Sequence, residues 1–467
     1  AGMKAYYAQK RIAEARLASR RAGVAQTRYG VDYQLITKNS SPLLTFLGSP
    51  VYIAPSTRLE GRFTEDNTSF LTATVKTDSL HFGSISFGPS DLDLTTSKFK
   101  LNEEVLASAV ISSKRQVFSS LLPTQNLQVE ASWDVDHIDF TSDIDQADSS
   151  GSYTNHADLN GELRFKGDAI DLTFRQSKLR VLNGNWILNP ESLIRKVGNE
   201  YTIRNLSLVN EAQLVQASGK ISTDSVEHLA IEAQNFLLAS LNSVLNTKLG
   251  GSLNGSMAIR NIYRTPIIES ALSVRAFSYD NALIGDVRGQ GDWDPQTQRV
   301  NVTASINRNG ANVVTLIGTY NPQLKTDPLA VKASVNNADL VLLEPFTTGL
   351  FSNLGGIASG TIAVTGKPAA PVLKGEVAIQ GGHGRFDYLK ADFAFDDKIY
   401  FGENEIITRQ LMLRDPQGNT ATLRGGVYHD YFRYFTLGFD ADLKNFRIMN
   451  TTAKDNDAFY GQAVVTG

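Results

Sequence analysis

The chain has 467 residues, 42% of them hydrophobic and none of them cysteine, and its formal net charge is −3. The absence of cysteine excludes disulfides and thiolate metal sites, and the nearly neutral charge gives no overall attraction to nucleic acid. A single compact core stops growing near about 250–300 residues. No Pro- or Ser-rich linker divides this chain, so we expect a repetitive architecture.

The first predicted element is a helix that flanks the rest of the chain, within residues 1–28. The segment 3–22 is rich in alanine, free of proline and basic, with Glu14 as its single acidic residue. Such a run of charge is usual on a solvated helix, and a contact with an acidic surface is the alternative.

From about residue 30 onward, apolar residues alternate with polar ones, which is the pattern of strands with one buried face. The alternation is clear at 71–76, 127–135, 170–174, 300–306, 329–335 and 437–443. Short helices are predicted only near 41–48, 190–196, 237–246 and 341–352. They are too few to cover every strand, so the sheet must fold over on itself or close into a barrel to bury its apolar face. A closed barrel of this length would need several domains with linkers, which the sequence does not show, so a sheet folded lengthwise fits better.

Five glycines in similar settings indicate a repeat of about one hundred residues. Gly61, Gly161, Gly255, Gly360 and Gly461 are separated by 161 − 61 = 100, 255 − 161 = 94, 360 − 255 = 105 and 461 − 360 = 101 residues. The string Leu-Gly-Gly at 249–251 recurs at 354–356, also at an offset of 105. A turn with Asn is predicted upstream of four of the glycines, at 38–39, 234–235, 336–337 and 444–445. A fixed long period indicates one supersecondary unit used again and again.

The predicted fold is therefore all-β. Residues 29–467 form an elongated, solenoid-like sheet folded lengthwise, with an apolar groove inside and polar side chains outside. The side chains predicted to line the groove are Ala73, Val75, Val129, Ala131, Trp133, Leu172, Phe174, Ile231, Val302, Ala304, Val331, Ala333, Phe393, Phe395 and Phe439. Their neighbours one residue along are expected to be solvated, because strand faces alternate.

No group of residues is suited to catalysis, to a cofactor or to a metal ion. The six histidines are scattered without metal-ligand spacing. The acidic stretch from Asp134 to Asp148 lacks the pattern of a calcium loop. The string Gly-Gly-His-Gly at 381–384 has no following Lys-Ser or Lys-Thr, so a hairpin turn is predicted there and not a phosphate-binding loop. We expect no enzymatic activity.

Several short motifs follow one another from about residue 150 onward. They are GNWILNP at 184–190, IRNL at 203–206, ASGKI at 217–221, LAI at 229–231, QNF at 234–236 and MNTTAKDNDAFYG at 449–461. In this order they resemble the TamB family, within the AsmA-like bridge-type lipid-transfer proteins. The last motif is similar to the carboxy-terminal TamB domain, and residues 30–120 resemble the family only loosely.

The resemblance implies a β-taco, a sheet folded into a trough across the periplasm of a Gram-negative bacterium. Such a trough would carry phospholipid between the inner and outer membranes. It would also take part in outer-membrane assembly and protein export beside a BamA- or TamA-like barrel protein. The family's amino-terminal inner-membrane anchor and its last strands are absent from this sequence, so we interpret the chain as a fragment truncated after Gly467. No nucleic-acid partner is expected.

Two other functions remain open. A structural or adhesive β-solenoid with a filled core and no lipid cargo would show a short period of about 20–30 residues, whereas the period here is about a hundred. A carbohydrate-active β-helix enzyme would need carboxylates clustered with aromatic residues, and the stretch from Asp134 to Asp148 is the single candidate. The lipid conduit is the preferred interpretation.

Overall fold

The computed structural model of the protein describes residues 29–66, 68–99, 104–118, 123–147, 153–224, 226–245, 247–347, 349–455 and 460–467. Strands account for 73% of the chain and helices for 4%. These proportions confirm the predicted all-β class. The flanking helix predicted within residues 1–28 lies outside the described residues.

The chain divides into two compact units. Of the described residues, the first unit holds those up to Glu211 and also Gln216–Lys220, and the second holds Ala212–Val215 and Ile221–Gly467. The first unit contains the helix α1 (Ser41–Phe46) and the strands β1 (Tyr29–Ile36), β2 (Val51–Ile53), β3 (Arg58–Glu65), β4 (Thr68–Thr77), β5 (Leu80–Phe82), β6 (Ile85–Phe87), β7 (Ser90–Phe99), β8 (Val105–Val117), β9 (Pro123–Asp134), β10 (His137–Ala147), β11 (Tyr153–Lys166), β12 (Ala169–Phe174), β13 (Ser177–Val181), β14 (Gly184–Leu188), β15 (Leu193–Val197) and β16 (Glu200–Asn210).

The division between the units falls within β17 (Gln213–Ile221). The second unit then contains β18 (His228–Leu237), β19 (Leu249–Arg260), β20 (Ile267–Tyr279), β21 (Ala282–Asp294), β22 (Arg299–Arg308), β23 (Ala311–Tyr320), β24 (Leu329–Asp339), β25 (Phe351–Lys367), β26 (Ala370–Phe386), β27 (Ala391–Phe401), β28 (Glu405–Arg414), β29 (Thr420–Asp430), β30 (Arg433–Lys444), β31 (Phe446–Thr451) and β32 (Gly461–Val465). Its short helical segments are the 3₁₀ turn Leu238–Leu241, the helix α2 (Asn242–Leu245) and the 3₁₀ turn Leu340–Phe346.

The strands pair in an antiparallel manner, mostly in chain order. In the second unit, every strand from β18 to β29 pairs with the strand that follows it. In the first unit, β3, β4, β7, β8, β9, β10, β11 and β12 pair in succession. Residues directly opposite each other in such pairs lie on the same face of the sheet, so rows of side chains can be followed across each unit.

Three asparagines form repeated corners in the second unit. Asn235, Asn337 and Asn445 have φ values of +51°, +48° and +49°, a conformation that Asn tolerates better than most residues. At each corner the Asn backbone N–H donates to a polar side chain further along the chain. The acceptors are Asn254 Oδ1 at 2.9 Å, Ser359 Oγ at 3.0 Å and Thr466 Oγ1 at 3.0 Å. The predicted repeat therefore has a structural basis in this unit.

A glycine follows each of these acceptors and lies opposite the residue two positions before the Asn. The three pairs are Ala233 with Gly255, Val335 with Gly360 and Leu443 with Gly467. A Cβ on Gly255 or Gly360 would lie 2.1 or 2.2 Å from a carbonyl oxygen of the next strand, so only glycine fits. Gly461, predicted as the last glycine of the repeat, lies on β32 opposite Thr451. Gly467 is the glycine that follows the third acceptor, and a Cβ on either Gly461 or Gly467 would meet no atom within 4 Å.

The strands of the second unit bend at bulges in neighbouring positions. β24 bulges at 336–337 and β26 at 380–381, with Gly356 of β25 between them at φ +108°. A bulge bends its strand, so the sheet bends along this line. The residues on its two sides pack into one core made of Leu340, Ala358, Val377, Ile379 and Phe395. In this part of the chain, the bend therefore lies beside a packed apolar core.

Two local predictions are wrong. The segment 190–196 is not a helix, because only a turn at 190–191 precedes β15, which pairs with both β12 and β16. The glycine string at 381–384 is not a hairpin turn, because β26 continues through it with a bulge. Gly381 has φ +61°, and both a hairpin turn and this bulge use a left-handed residue.

Candidate functional site

An unbroken row of glycine and apolar residues crosses the second unit. It takes one residue from every strand from β18 to β30, each opposite the next. The central row is Ala233, Gly255, Leu272, Gly289, Ala304, Leu316, Ala333, Ile362, Gly375, Phe401, Ile406, Val427 and Leu437. No polar side chain interrupts this row. We call the face of the sheet that carries it the apolar face.

Two further rows flank the central row on the same face. One is Leu253, Val274, Val287, Ile306, Val314, Val335, Gly360, Val377 and Ile399. The other is Ile231, Met257, Ser270, Gly291, Val302, Gly318, Val331, Val364 and Leu373, where Ser270 is the one polar member. The apolar face of this unit is therefore at least three residues wide from β19 to β26.

Five of the residues predicted to line a groove lie in these rows. Ala304 and Ala333 belong to the central row, and Ile231, Val302 and Val331 belong to the flanking row. Register therefore places all five on one face. Val331 and Ala333 are buried, and the other three are half-buried.

The three predicted phenylalanines lie in the later strands of the second unit. Phe395 is buried in the core described above, and Phe393 packs against that core. Phe439 lies on β30 opposite Gly425, two residues from Leu437 of the central row, and it is 46% exposed. Phe393 and Phe395 thus belong to a filled region, while Phe439 stands at the surface.

The first unit has a corresponding face. Its central row is Tyr33, Gly61, Ala73, Leu94, Ala109, Ala131, Phe140, Gly161 and Phe174. The row on one side contains Val75 and Val129, and the row on the other contains Trp133 and Leu172. All seven residues predicted in this unit therefore share one face. Trp133 is 44% exposed and the other six are half-buried.

The degree of burial separates an open surface from a filled core. In the central row only Ala333 is buried, and in the row from Leu253 to Ile399 only Val377 is buried. The other members are half-buried, apart from Leu437, which is 53% exposed. A fully packed interior would leave almost none of these side chains accessible. A contiguous apolar surface of this length on a folded protein is typical of a binding surface.

The opposite face of the second unit is more exposed and carries both polar and apolar side chains, among them Ile317, which lies opposite Thr303 and is 59% exposed. Arg288, Gln290 and Thr303 alternate with apolar-face residues, and all three are exposed. Together with neighbours from β19 to β23 they line a shallow groove of about 530 Å³. The lining of this groove also includes Ala271 and Ile317, so the groove is mixed in its chemistry.

Charged side chains of the first unit pair across strands on its opposite face. Asp171 accepts two hydrogen bonds from Arg195, at 2.6 and 2.8 Å, and one from Lys166 at 3.1 Å. Arg195 is the main cause that lowers the pKa of the Asp171 carboxyl to about 2. Only 4% of Asp171 is exposed, so its charge depends on these partners. These interactions fix strand positions and suggest no chemistry.

Sequence reasoning named only some members of the apolar face. Leu272, Val287 and Leu316 lie on it as fully as Val302 does. The same two-residue alternation marks them, so extending it through every strand would have found them. The glycines of the rows could not be assigned in this way, because they carry no hydrophobic signal.

Among the described residues, no three His, Asp or Glu side chains converge in a way that could hold a metal ion. None of the helices described is long and apolar enough to cross a membrane. No protein-family model, curated protein or solved structure matches the chain.

Proposed function

We propose that the protein is a conduit that carries phospholipid along its apolar face. The observation that supports this most is the half-exposed apolar row from β18 to β30, which contains no polar side chain. Each methylene group of an acyl chain gains about 0.8 kcal/mol on leaving water. Two exposed chains would therefore cost on the order of 20–25 kcal/mol, so a lipid needs cover along its whole path.

The composition of the rows suits movement as well as binding. Neighbouring positions carry Gly, Ala, Val, Leu or Ile, and few carry larger side chains. Similar small sites bind an acyl chain with similar free energies, and a lipid is then not trapped at one of them. We infer a surface along which lipid steps from strand to strand.

The setting of this activity follows from the resemblance to the TamB family. In this proposal the conduit lies in the periplasm of a Gram-negative bacterium and connects the inner and outer membranes. A BamA- or TamA-like barrel protein is its partner at the outer membrane, and an inner-membrane anchor belongs to the intact protein. The conduit acts in outer-membrane assembly and is not an enzyme.

A second candidate is a structural β-solenoid with a filled core. The core of Leu340, Ala358, Val377, Ile379 and Phe395 favours it, because these side chains pack against one another and are buried. In this alternative the half-exposed rows are simply the edges of the same core, and the protein carries no lipid.

Native mass spectrometry combined with photocrosslinking tests the proposal. The protein is purified without detergent exchange and then incubated with a phospholipid that carries a diazirine on its acyl chain. We expect co-purified phospholipid, and crosslinks on apolar-face residues such as Leu272, Val287 and Leu316. Crosslinks confined to the groove around Thr303, or the absence of both bound lipid and crosslinks, would contradict the conduit and favour the solenoid.

A further inference from the structure

The hairpin that joins β29 to β30 has a turn made of two aromatic residues. Asp430 pairs with Arg433, which leaves Tyr431 and Phe432 as the turn. Their φ values are +46° and +62°, so both residues adopt the left-handed conformation. Bulky residues rarely adopt it, because their Cβ then lies too close to the following carbonyl oxygen. The turn is therefore strained at both of its residues.

Two other turns of the same length in this unit use residues that tolerate the left-handed conformation. Asp280 and Asn281 join β20 to β21 with φ values of +47° and +67°. Asn309 and Gly310 join β22 to β23 with φ values of +51° and +80°. Asn, Asp and Gly are the residues that such turns favour. The geometry of the turn therefore does not explain why β29 and β30 are joined by Tyr and Phe.

The residues after the turn continue the same feature. Tyr434 also has a positive φ, of +52°, and is 85% exposed. Phe435 is 57% exposed and Tyr431 is 42% exposed. Side chains that remain so accessible gain little stability from burial, so packing does not explain the strain. Strained backbone of this kind is often found at functional sites. We call residues 431–435 the aromatic tip.

His429 holds the aromatic tip in its conformation. The ring of this histidine is buried and stacks on Phe432, with 4.3 Å between the ring centroids. Its Nδ1 accepts a hydrogen bond from the backbone N–H of Phe432 at 3.2 Å. Phe435 meets the same ring at an angle of 69°, at a centroid distance of 6.0 Å. These contacts fix the two phenylalanines and leave the two tyrosines exposed.

The composition of the aromatic tip suits the interface of a lipid bilayer. A tyrosine ring has an apolar body and a polar hydroxyl group, and tyrosine is enriched at the level of the lipid headgroups. Arg433 is exposed within the tip, and a guanidinium group pairs well with phosphate. Phe435 precedes Leu437 of the central row by two residues on β30, so alternation continues the apolar face onto the tip.

We propose that the aromatic tip inserts into the headgroup region of a lipid bilayer and docks the β29–β30 hairpin on a membrane surface. Exposed aromatic side chains in a strained turn, at a position where the same unit elsewhere uses Asp-Asn and Asn-Gly, support this assignment. The proposal does not depend on lipid carriage along the apolar face, because a tip can bind a bilayer without extracting a lipid from it.

Cosedimentation of the full chain with phosphatidylcholine vesicles tests the proposal. The double variant Tyr431→Asn with Tyr434→Asn removes both exposed tyrosine rings and supplies a residue that tolerates the left-handed conformation. We expect vesicle binding to weaken at least about tenfold, while the unfolding temperature stays equal or rises. The matched control, Tyr431→Phe with Tyr434→Phe, keeps both rings and should bind within about threefold of the original protein.

A fluorescent label on the hairpin reports insertion directly. The chain has no cysteine, so Thr436→Cys gives one attachment site beside Phe435 and leaves every ring of the tip in place. Thr436 is exposed. A nitrobenzoxadiazole label there should brighten at least about twofold when vesicles are added, because it leaves water for the bilayer interface. The same label at Asn281→Cys, in the turn between β20 and β21, should not respond.

Four results would overturn the proposal. They are no binding of the original protein to vesicles, equal binding by the double Asn variant, a fall in the unfolding temperature of that variant, and equal responses of the two labels. A dimer in sedimentation velocity without lipid that the double Asn variant abolishes would show that a second copy covers the tip, and would also overturn it. Loss of vesicle binding in the double Asn variant with unchanged diazirine crosslinks on the apolar face would support the tip independently of the conduit.

Discussion

The substitution Val302→Arg separates lipid passage from folding. Val302 is half-buried on the apolar face of β22, and the residues opposite it are Gly291 and Gly318. Because Val302 is only half-buried, a long arginine can extend along the surface and bring its charge to water. We therefore expect the variant to fold with a loss of less than about 1 kcal/mol in the free energy of unfolding.

The effect on a moving lipid should be larger than the effect on folding. A charge on a lipid-facing surface costs about 2–4 kcal/mol at the centre of a bilayer. If each acyl chain must pass this position, the barrier rises by a similar amount. Since each 1.36 kcal/mol changes a rate tenfold, transfer should slow by about 30- to 900-fold. A lipid that steps around the side chain would reduce this factor.

Transfer of a fluorescent phospholipid between liposomes measures the rate, and circular dichroism with thermal unfolding measures the fold. The control is Thr303→Arg, which adds the same charge to the next residue on the opposite face. We expect normal transfer by this control. Equal slowing by both variants would refute the conduit along the apolar face. Unfolding by Val302→Arg alone would show that Val302 belongs to a filled core.

Three further predictions concern the free energy of unfolding. Asp171→Asn should lower the free energy of unfolding by up to about 2 kcal/mol at neutral pH. Screening by solvent reduces this loss, because Arg195 is partly exposed. The native pKa of about 2 lies below the unfolded value of 3.8, so this contribution is present above about pH 4 and is lost as the pH falls toward 2. A urea titration at several pH values checks it, and an unchanged acid midpoint in Asp171→Asn would contradict it. Gly360→Ala places a Cβ 2.2 Å from a backbone oxygen and should lower the free energy of unfolding by about 1–3 kcal/mol. The control Gly289→Ala places a Cβ with no atom within 4 Å and should be neutral or stabilising. Equal unfolding temperatures of the two variants would contradict the close approach at Gly360. Asn337→Ala should cost about 1 kcal/mol and Asn337→Gly almost nothing, because only the alanine is strained at φ +48°. Equal losses in the two Asn337 variants, measured by thermal unfolding, would show that the side chain and not the backbone conformation matters.

The strands and the shared faces could be predicted because one face of each strand is apolar. Alternation by two residues places Val302 and Ala304 on one side and Thr303 on the other, and register confirms this placement. The same rule puts Ala73 and Ala131 each on the apolar side of its own strand, and strand register then places both in one row of the first unit. Periodicity is local, so it survives without knowledge of the partner strands.

The errors occur where partner strands decide the structure. The segment 190–196 forms β15 because the ladders of β12 and β16 lie on its two sides, and nothing local reveals them. The glycine string at 381–384 lies inside β26, because the pairing of β26 with β25 and β27 continues through it with a bulge. Sequence alternation also cannot say which face is concave or covered, because both faces of a strand follow the same period.

The glycines of the apolar face bear on whether that face is open or filled. At Gly360 the backbone of the next strand lies against the glycine, so packing alone accounts for the residue. Gly289 belongs to the central row, yet a Cβ there would meet no atom within 4 Å, and its φ is not in the left-handed region. A filled core gains stability from side chains that occupy such space, since even a missing methyl group is costly in a packed interior. A glycine at a position where a larger apolar residue would fit is therefore better explained by a surface that accommodates something other than the protein's own side chains.

The half-burial of Leu272 and Ala304, which lie opposite Gly289 on either side, agrees with this explanation. In the core around Phe395, by contrast, large side chains close the space between strands. That core includes Val377 of one flanking row, and Ile362 and Phe401 of the central row pack against it. The apolar face is therefore filled where these strands meet and open around Gly289, and the part around Gly289 is the one that supports the proposed conduit.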